Sequence, residues 1–382
     1  MGSGQHFKRA RREPRAGKVE ALLDAKLKGV EWGEFRIGDL FGIKNTLSFN
    51  KDELTIGNKY DYVTRTSQNQ GILQTTGFVN NENINEAGCW SLGLLQMDFF
   101  YRHKSWYAGQ FVRKIIPKFN LTTSSILFFT ILLNKQKEKL LSVLVRNVDK
   151  VFKNSKIQLP IKNNEIDFEF MENFIAEIEA QKIARLEAYL VENGLKEYCL
   201  SDEEEEVLKN LSNIEFDDFN VVDIFDVRNS GNILSRDIVV DSGDVPYLCA
   251  SSENNAVSSY ISYDDKYLDK GDCVFIGGKT FVVTYQEKDF YSNDSHNLIL
   301  HLKEKEEKNK LTQLFLATCV NKSLGYKYSW GDSISNRKIQ KDTVSLPTKN
   351  NQPDYALMQT LISAVQKLVV KDVVLYVEGK RR

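Results

Sequence analysis

The hexapeptide LPIKNN at Leu159–Asn164 returns as LPTKNN at Leu346–Asn351, with five of six residues the same at an offset of 187. Self-similarity is tested before secondary structure, because a repeat decides the architecture. The match extends on both sides. VEWGEFRIGDLF (Val30–Phe41) meets IEFDDFNVVDIF (Ile214–Phe225) at an offset of 184, and YVTRTSQNQGI (Tyr62–Ile72) meets YLCASSENNAV (Tyr247–Val257) at 185. Asn134-Lys135 meets Asn321-Lys322, and DFEFMENFI (Asp167–Ile175) meets DYALMQTLI (Asp354–Ile362), both at 187. Unrelated segments of similar composition do not hold order and register this way; small loop insertions explain the drift. The chain is one object used twice, each copy a domain followed by a helical segment.

The domains mix short alternating apolar runs with turn signals. CVFIGGKTFVVTY (Cys273–Tyr285) reads as a hairpin around Gly277-Gly278, and HNLILHL (His296–Leu302) as a strand. SSILFFTILLNKQKEKLL (Ser124–Leu141) reads as helix. The fold class is therefore α+β. The segments that follow have no Gly or Pro from Asp167 to Asn193, and Gly194 suits a C-cap. Met171, Phe174 and Ile178 form one stripe; Met358, Leu361, Val365 and Leu368 follow coiled-coil spacing, with Pro353 near the helix start. Helices of about 25 residues span roughly 38 Å, and such stripes must be buried. The economical partner for each is the other, packed as an antiparallel coiled coil.

The expected layout is a basic N-terminal segment with a short helix over 1–29 and a first domain over 30–164. A first spacer helix follows over 165–200, an acidic linker (SDEEEEVLKN at its start, read as a solvated face) over 201–213, a second domain over 214–352 and a second spacer helix over 353–382. The basic stretch Lys8–Arg15 is expected to be disordered when free. A chain of 382 residues with 42% hydrophobic and 27% charged residues suits two soluble domains, and no apolar run long enough for a membrane span is present. The N-terminus lacks the apolar core of a secretory signal. Five scattered cysteines suggest reduced thiols in a cytosol.

Catalytic signatures are missing. The sequence has no GxxxxGK[ST] loop, no GxGxxG, no DPPY- or NPPF-like tetrapeptide and no histidine spacing suited to a metal. Pro353-Asp354 and Glu378-Gly379-Lys380 spell a nuclease-like PD…ExK, but they fall at opposite ends of one predicted helix, about 35 Å apart by helix rise. Binding chemistry remains. Residues 101–160 carry twelve Lys and Arg against two acids, whereas the whole chain has net charge −1. Such segregation is the footprint of a polyanion partner, with a plain solvated face as the alternative. From it the candidates are Arg102, Lys104, Arg113, Lys114, Arg146, Lys150, Lys153 and Lys156 in the first domain; the weaker set in the second is Lys279, Lys327, Arg337, Lys338 and Lys341. TRTSQNQG adds Thr64, Arg65, Ser67, Gln68, Asn69 and Gln70, side chains suited to base edges. Its counterpart offers Ser251, Ser252, Asn254 and Asn255 and lacks the arginine. An Asx- and Ser-rich turn that only satisfies backbone groups is the alternative.

This arrangement resembles the DNA-specificity subunits of type I restriction–modification systems and the related recognition subunits of type IIB enzymes. The resemblance rests on the doubled domain, the segments Trp32–Phe41 and Phe216–Phe225, the YVTRTSQNQG-like stretch, the LPxKNN exits and the two long helices. It implies that each domain is a target-recognition domain reading one half of a split double-stranded DNA site. It implies that the helices form a pseudo-two-fold coiled-coil spacer, and that methyltransferase subunits binding S-adenosylmethionine dock on it, with a restriction subunit as a further partner. The chain itself would be a non-catalytic cytoplasmic subunit without cofactor or metal. A protein-interaction scaffold whose basic surface meets acidic partners is the alternative, and a nuclease or methyltransferase in its own right is a third.

Overall fold

The computed structural model describes residues 14–381. Most of the basic stretch Lys8–Arg15, and with it the expectation of disorder, lies outside them. Two compact units part between Arg185 and Leu186. Each contains one copy of the same fold.

In the first copy a lead-in helix (Pro14–Gly29) is followed by a strand (Glu31–Arg36) that pairs antiparallel with Lys156–Lys162, whose other edge carries the short strand Glu165–Ile166. A four-stranded antiparallel sheet follows in the order Phe41–Asn45, Val112–Pro117, Cys89–Gly93, Asp98–Arg102. A third sheet has Tyr60–Val63 at its centre, antiparallel to Ile72–Thr76 and parallel to Trp106–Ala108. The helix Thr123–Asn134, started by the reciprocal capping box of Thr122 and Ser125, covers the four-stranded sheet with Phe128, Phe129 and Leu133. Trp90, Phe99 and Phe129 are fully buried in that core. Truncating any one of them to alanine is expected to cost about 3–5 kcal/mol.

The second copy repeats the topology strand for strand: Phe216–Asn220 with Thr343–Lys349 and Gln352–Pro353; Phe225–Asn229, Leu298–Leu302, Cys273–Gly277 and Val282–Gln286; Val257–Ile261, Val245–Leu248 and Tyr291–Ser292. Even the bulges agree, at Tyr62/Val63 and at Tyr247/Leu248.

LPxKNN is a hairpin. Leu-Pro-x-Lys ends a strand, and the two asparagines form its turn, with φ of 55° and 64° at Asn163 and Asn164 and 54° and 59° at Asn350 and Asn351. Two left-handed residues in a two-residue turn match the twist of a hairpin, and Asn tolerates that region best after Gly. The exit helix starts directly afterwards. Asp167 donates its N–H to the Pro160 carbonyl at 2.8 Å and caps the helix by accepting from the Phe170 N–H at 2.8 Å. Asp354 repeats both contacts, to the Pro347 carbonyl at 2.8 Å and from the Leu357 N–H at 3.0 Å. Pro353, placed near the helix start by the sequence, instead belongs to the hairpin, and Asp354 is the cap.

The exit helices run Phe168–Glu192 and Tyr355–Arg381. The first ends in a Schellman motif around Gly194 (φ 64°), with Leu195 N–H on the Leu190 carbonyl at 2.7 Å and Gly194 N–H on the Val191 carbonyl at 3.1 Å. Met171 and Met358, expected on a coiled-coil seam, are fully buried in the cores of their own domains, because the first turn of each helix lies against its sheet. Phe174 packs beside the first core, and with Ile178, Leu27 and Trp32 it lines an open apolar groove. Leu361 is buried, whereas Val365 and Leu368 are about half exposed at 46% and 48%.

The acidic run expected as a linker is a helix, Asp202–Lys209. Ser201 and Glu204 form its capping box, and the helix packs on the second exit helix. Glu204 is buried rather than solvated. Its carboxylate accepts from the Ser201 N–H (2.8 Å), the Ser363 hydroxyl (2.6 Å) and the Lys367 ammonium (2.9 Å). In the first copy Lys26 of the lead-in helix pairs likewise with Glu177 of the exit helix. Only in the second copy does the lead-in helix pack closely on the exit helix; in the first the two are joined by this ion pair beside the open groove. Among the described residues no helix is long and apolar enough to cross a membrane.

Candidate nucleic-acid interface

TRTSQNQG is the connection between Tyr60–Val63 and Ile72–Thr76, the antiparallel pair of the third sheet. Its ends are tied by the Thr64 N–H to the Gly71 carbonyl at 2.8 Å. Thr66 Oγ1 accepts from the Gln68 N–H (3.2 Å), Asn69 donates to the Ile72 carbonyl (3.2 Å), and Asn69 and Gln70 are left-handed. ASSENNA makes the same loop. Cys249 N–H meets the Ala256 carbonyl (2.9 Å), Ser251 Oγ accepts from the Glu253 N–H (3.2 Å), Asn254 donates to the Val257 carbonyl (2.9 Å), and Asn255 is left-handed. The Asx/Ser-turn reading of Thr66, Asn69, Ser251 and Asn254 is therefore realised; these groups build the loop. Gln68, Ser252 and the main part of the loop surface stay exposed.

The loop lies along the hairpin Cys89–Gly93/Asp98–Arg102. Arg65 crosses Gly93, where a Cβ would stand 2.9 Å from the Arg65 Cα; in the second copy Ala250 crosses Gly277, at 2.8 Å. Ser67 hydrogen-bonds to Asp98, which also pairs with Lys137 at 2.6 Å. Gln70 gives its carbonyl to Arg102.

Arg102 is thus not a surface cation. It is 2% exposed, held by Ser91 Oγ at 2.9 Å and 2.7 Å as well as by Gln70. Burial pulls its guanidinium down to about 10, against the pull of Asp61, so it stays charged at neutral pH. By strand register its counterpart is Gln286, 4% exposed, which donates to the Asn255 carbonyl at 2.8 Å. Two different side chains hold the same left-handed residue of the same loop.

The tip of the interface is built from three turns: this loop, the four-residue hairpin turn 94–97 (278–281 in the second copy), and the turn before the strand at Val112. Met97 and Phe281 take the same left-handed conformation (φ 55° and 52°) and close the same bond to Gly93 and Gly277 (2.8 and 2.9 Å). Strand register aligns the exposed positions. Arg65, Leu95 and Phe111 in the first copy answer to Ala250, Lys279 and His296 in the second. Arg65 stacks on the Phe111 ring at 5.3 Å, which occupies the guanidinium face and leaves its in-plane N–H donors for a ligand. Lys279 pairs with Asp294 at 3.0 Å, and His296 meets the same carboxylate at 2.7 Å. Leu95, Phe111 and His296 were not singled out from sequence; only the strand register brings them beside the loop.

Many of the other basic candidates are tied into local ion pairs. Arg113 is the second residue of the strand Val112–Pro117 and is tied to Asp149 at 3.0 Å; Arg146 and Lys150, either side of Asp149 in sequence, are exposed. Lys114 alternates to the opposite side of its strand. Lys104 pairs with Asp61 at 2.8 Å. Lys153 lies near the end of the helix Val148–Asn154 and Lys156 opens the strand Lys156–Lys162 of the other sheet; Arg36 donates to the Lys153 carbonyl (3.2 Å) and Lys156 pairs with Glu34 (2.6 Å). In the second domain Lys327 pairs with Asp342 at 3.3 Å, Lys338 with Asp332, and Arg337 and Lys341 are exposed. Asp354 and Glu378, the nuclease-like pair, sit at opposite ends of one helix. Among the described residues no cluster of three or more His, Cys, Asp or Glu converges to hold a metal.

The sequence family described as "Type I restriction modification DNA specificity domain" matches this chain twice, over residues 29–188 and 213–369. The chain belongs to that family. Both DNA-specificity domains coincide with the two copies of the fold. A curated relative is the specificity subunit S.BcgI of the type II restriction enzyme BgcI from Heyndrickxia coagulans, 23% identical over 348 residues, covering 89% of this chain and 96% of the relative. Among solved structures the chain is similar to the S subunit of a type I restriction–modification system from M. genitalium, with a TM-score of 0.61, 13% identity and 92% of each chain covered. The α+β fold with two recognition domains is that of S subunits.

Proposed function

We propose that this specificity subunit reads a bipartite, asymmetric double-stranded DNA target, one domain per half-site. The observation that carries this is a shared frame with divergent tips. The loops 64–71 and 249–256 have the same internal hydrogen bonds, yet the tip carries Arg65, Leu95 and Phe111 in one copy and Ala250, Lys279 and His296 in the other. Fixed loops with different side chains suit two different base sequences. Arg65 is the base reader of the first domain, with Gln68 and Gln70 beside it; Ser252, Asn255 and Lys279 serve the second. Arg146, Lys150, Arg337 and Lys341 are phosphate contacts.

The two exit helices form the antiparallel spacer in this reading. Their length, about 38–40 Å, is close to one turn of B-DNA at about 34–36 Å. Val365 and Leu368 keep apolar surface for that seam. The spacer and the groove at Phe174 and Ile178 would receive methyltransferase subunits, which bind S-adenosylmethionine, and a restriction subunit; this chain contributes recognition and no catalysis, in the cytoplasm. The experiment is genome-wide mapping of methylated positions in cells with and without the chain. Loss of one bipartite motif is expected; an unchanged methylation pattern overturns the reading. Retained capture of a methyltransferase with no duplex binding by the complex favours the scaffold alternative.

A further inference from the structure

Tyr326 and Trp330 are 81% and 79% exposed, whereas Trp90 and Trp106 are fully buried. Two large aromatic rings in water are unusual for a loop unless something covers them. They stand in GYKYSWGD (Gly325–Asp332), after the helix Lys310–Leu324. Ser329 and Asp332 bridge backbone to backbone (3.3 and 3.1 Å), so Trp330 and Gly331 form the tip of a miniature hairpin.

The turn is held from inside. Tyr328 stacks on Phe281 at 5.5 Å and hydrogen-bonds to Asp342. Lys338 bonds Asp332 and the Ser333 carbonyl (2.7 Å) while lying over the Tyr328 ring. Phe281 is the last residue of the hairpin turn that carries Lys279, so the aromatic turn adjoins the candidate interface. The flanking sequence is basic: Lys322, Arg337 and Lys341 are exposed, and the acids Asp332 and Asp342 are already paired with Lys338 and Lys327. The corresponding stretch of the first copy, EKLLSVLVRNV (Glu138–Val148), has no aromatic residue.

The geometry points to Trp330 as a DNA-stacking contact specific to the second domain, an indole that lies against or between bases while Arg337 and Lys341 hold phosphates. The inference rests on the DNA reading proposed above. A π-face accepts every base, so the turn adds affinity and DNA deformation without base identity. The cationic rim favours DNA over an apolar protein partner.

The test uses the full-length chain and a labelled short duplex of randomised sequence, read by fluorescence anisotropy. Trp330→Ala should weaken binding about tenfold, and Trp330→Phe should keep most of it, because either ring can stack on a base. Duplex should also quench tryptophan fluorescence in the wild type and not in Trp330→Phe. Equal affinity of Trp330→Ala and wild type overturns the inference, as does quenching that persists in Trp330→Phe. Loss in Arg337→Ala alone reduces the turn to electrostatics and overturns it too. A wild-type chain that binds no duplex, alone or with its methyltransferase, fails the proposed function first and this inference with it.

Discussion

Replacing Glu204 with alanine tests a buried carboxylate of the second copy. Glu204 accepts three hydrogen bonds within 2.9 Å, and its side chain is 6% exposed against 19% for Lys367. Removing one member of a buried pair costs about 3–5 kcal/mol, since the other charge is left without a counterion. Lys367 retains some access to water through its flexible stem, which favours the lower end, about 3 kcal/mol. The assay is native-state hydrogen exchange on peptides spanning 202–209 and 361–370, where that loss appears as roughly 100-fold faster exchange. Lys367→Met in the Glu204→Ala background should recover part of the loss, giving a coupling of about 1.5 kcal/mol or more. A change below about threefold in exchange, or losses that merely add, refutes the reasoning. The pH dependence has a fixed sign. Although burial pushes the Glu204 carboxyl up, Lys367, Ser363 and the Ser201 N–H hold it down to about 2. This stabilisation is present above the unfolded carboxylate value, about 4.3, and is lost as pH falls toward 2. Glu204→Gln should flatten that part of the acid-unfolding profile.

Other outcomes follow from the interface. Arg65→Ala should relax preference at one half-site by about 1–3 kcal/mol, measured by competition among duplex variants, with the other half-site unchanged. Arg146→Ala should weaken all sequences alike and lower the salt slope by about one. Arg102→Ala should loosen loop 64–71, raising exchange at Gly71 and blurring first-half selectivity, whereas Arg102→Gln, the side chain used at 286, should retain much of both. Asn164→Ala, at φ 64°, should cost about 1 kcal/mol of stability in urea unfolding, and Asn164→Gly should not.

The repeat, the hairpin at Gly277 and the strand at His296–Leu302 were legible because order and alternation are local properties of sequence. The placement of Met171 and Met358 on the seam failed for a physical reason. Met171 and Met358 fit 3–4 spacing equally well whether the apolar face meets another helix or the sheet of its own domain. Arg102 sits in a basic run and reads as surface; its burial depends on Ser91 and Gln70, which only the sheet register brings near. The acidic run was the avoidable miss. Ser201-x-x-Glu204 is a capping box, and its presence ahead of Val207 already signalled a helix.

The bond between Asp167 and the Pro160 carbonyl, repeated by Asp354 and Pro347, makes each exit helix a lever arm clamped at its root. A tilt of about 5° at the clamp moves the far end of a helix of about 38 Å by about 3 Å, close to the 3.4 Å rise of one base pair. On the bipartite reading proposed above, stiffness at this root would therefore translate into a spacing tolerance of about one base pair. On that reading, lengthening the turn by one glycine should let methylation mapping recover the motif at neighbouring half-site spacings as well.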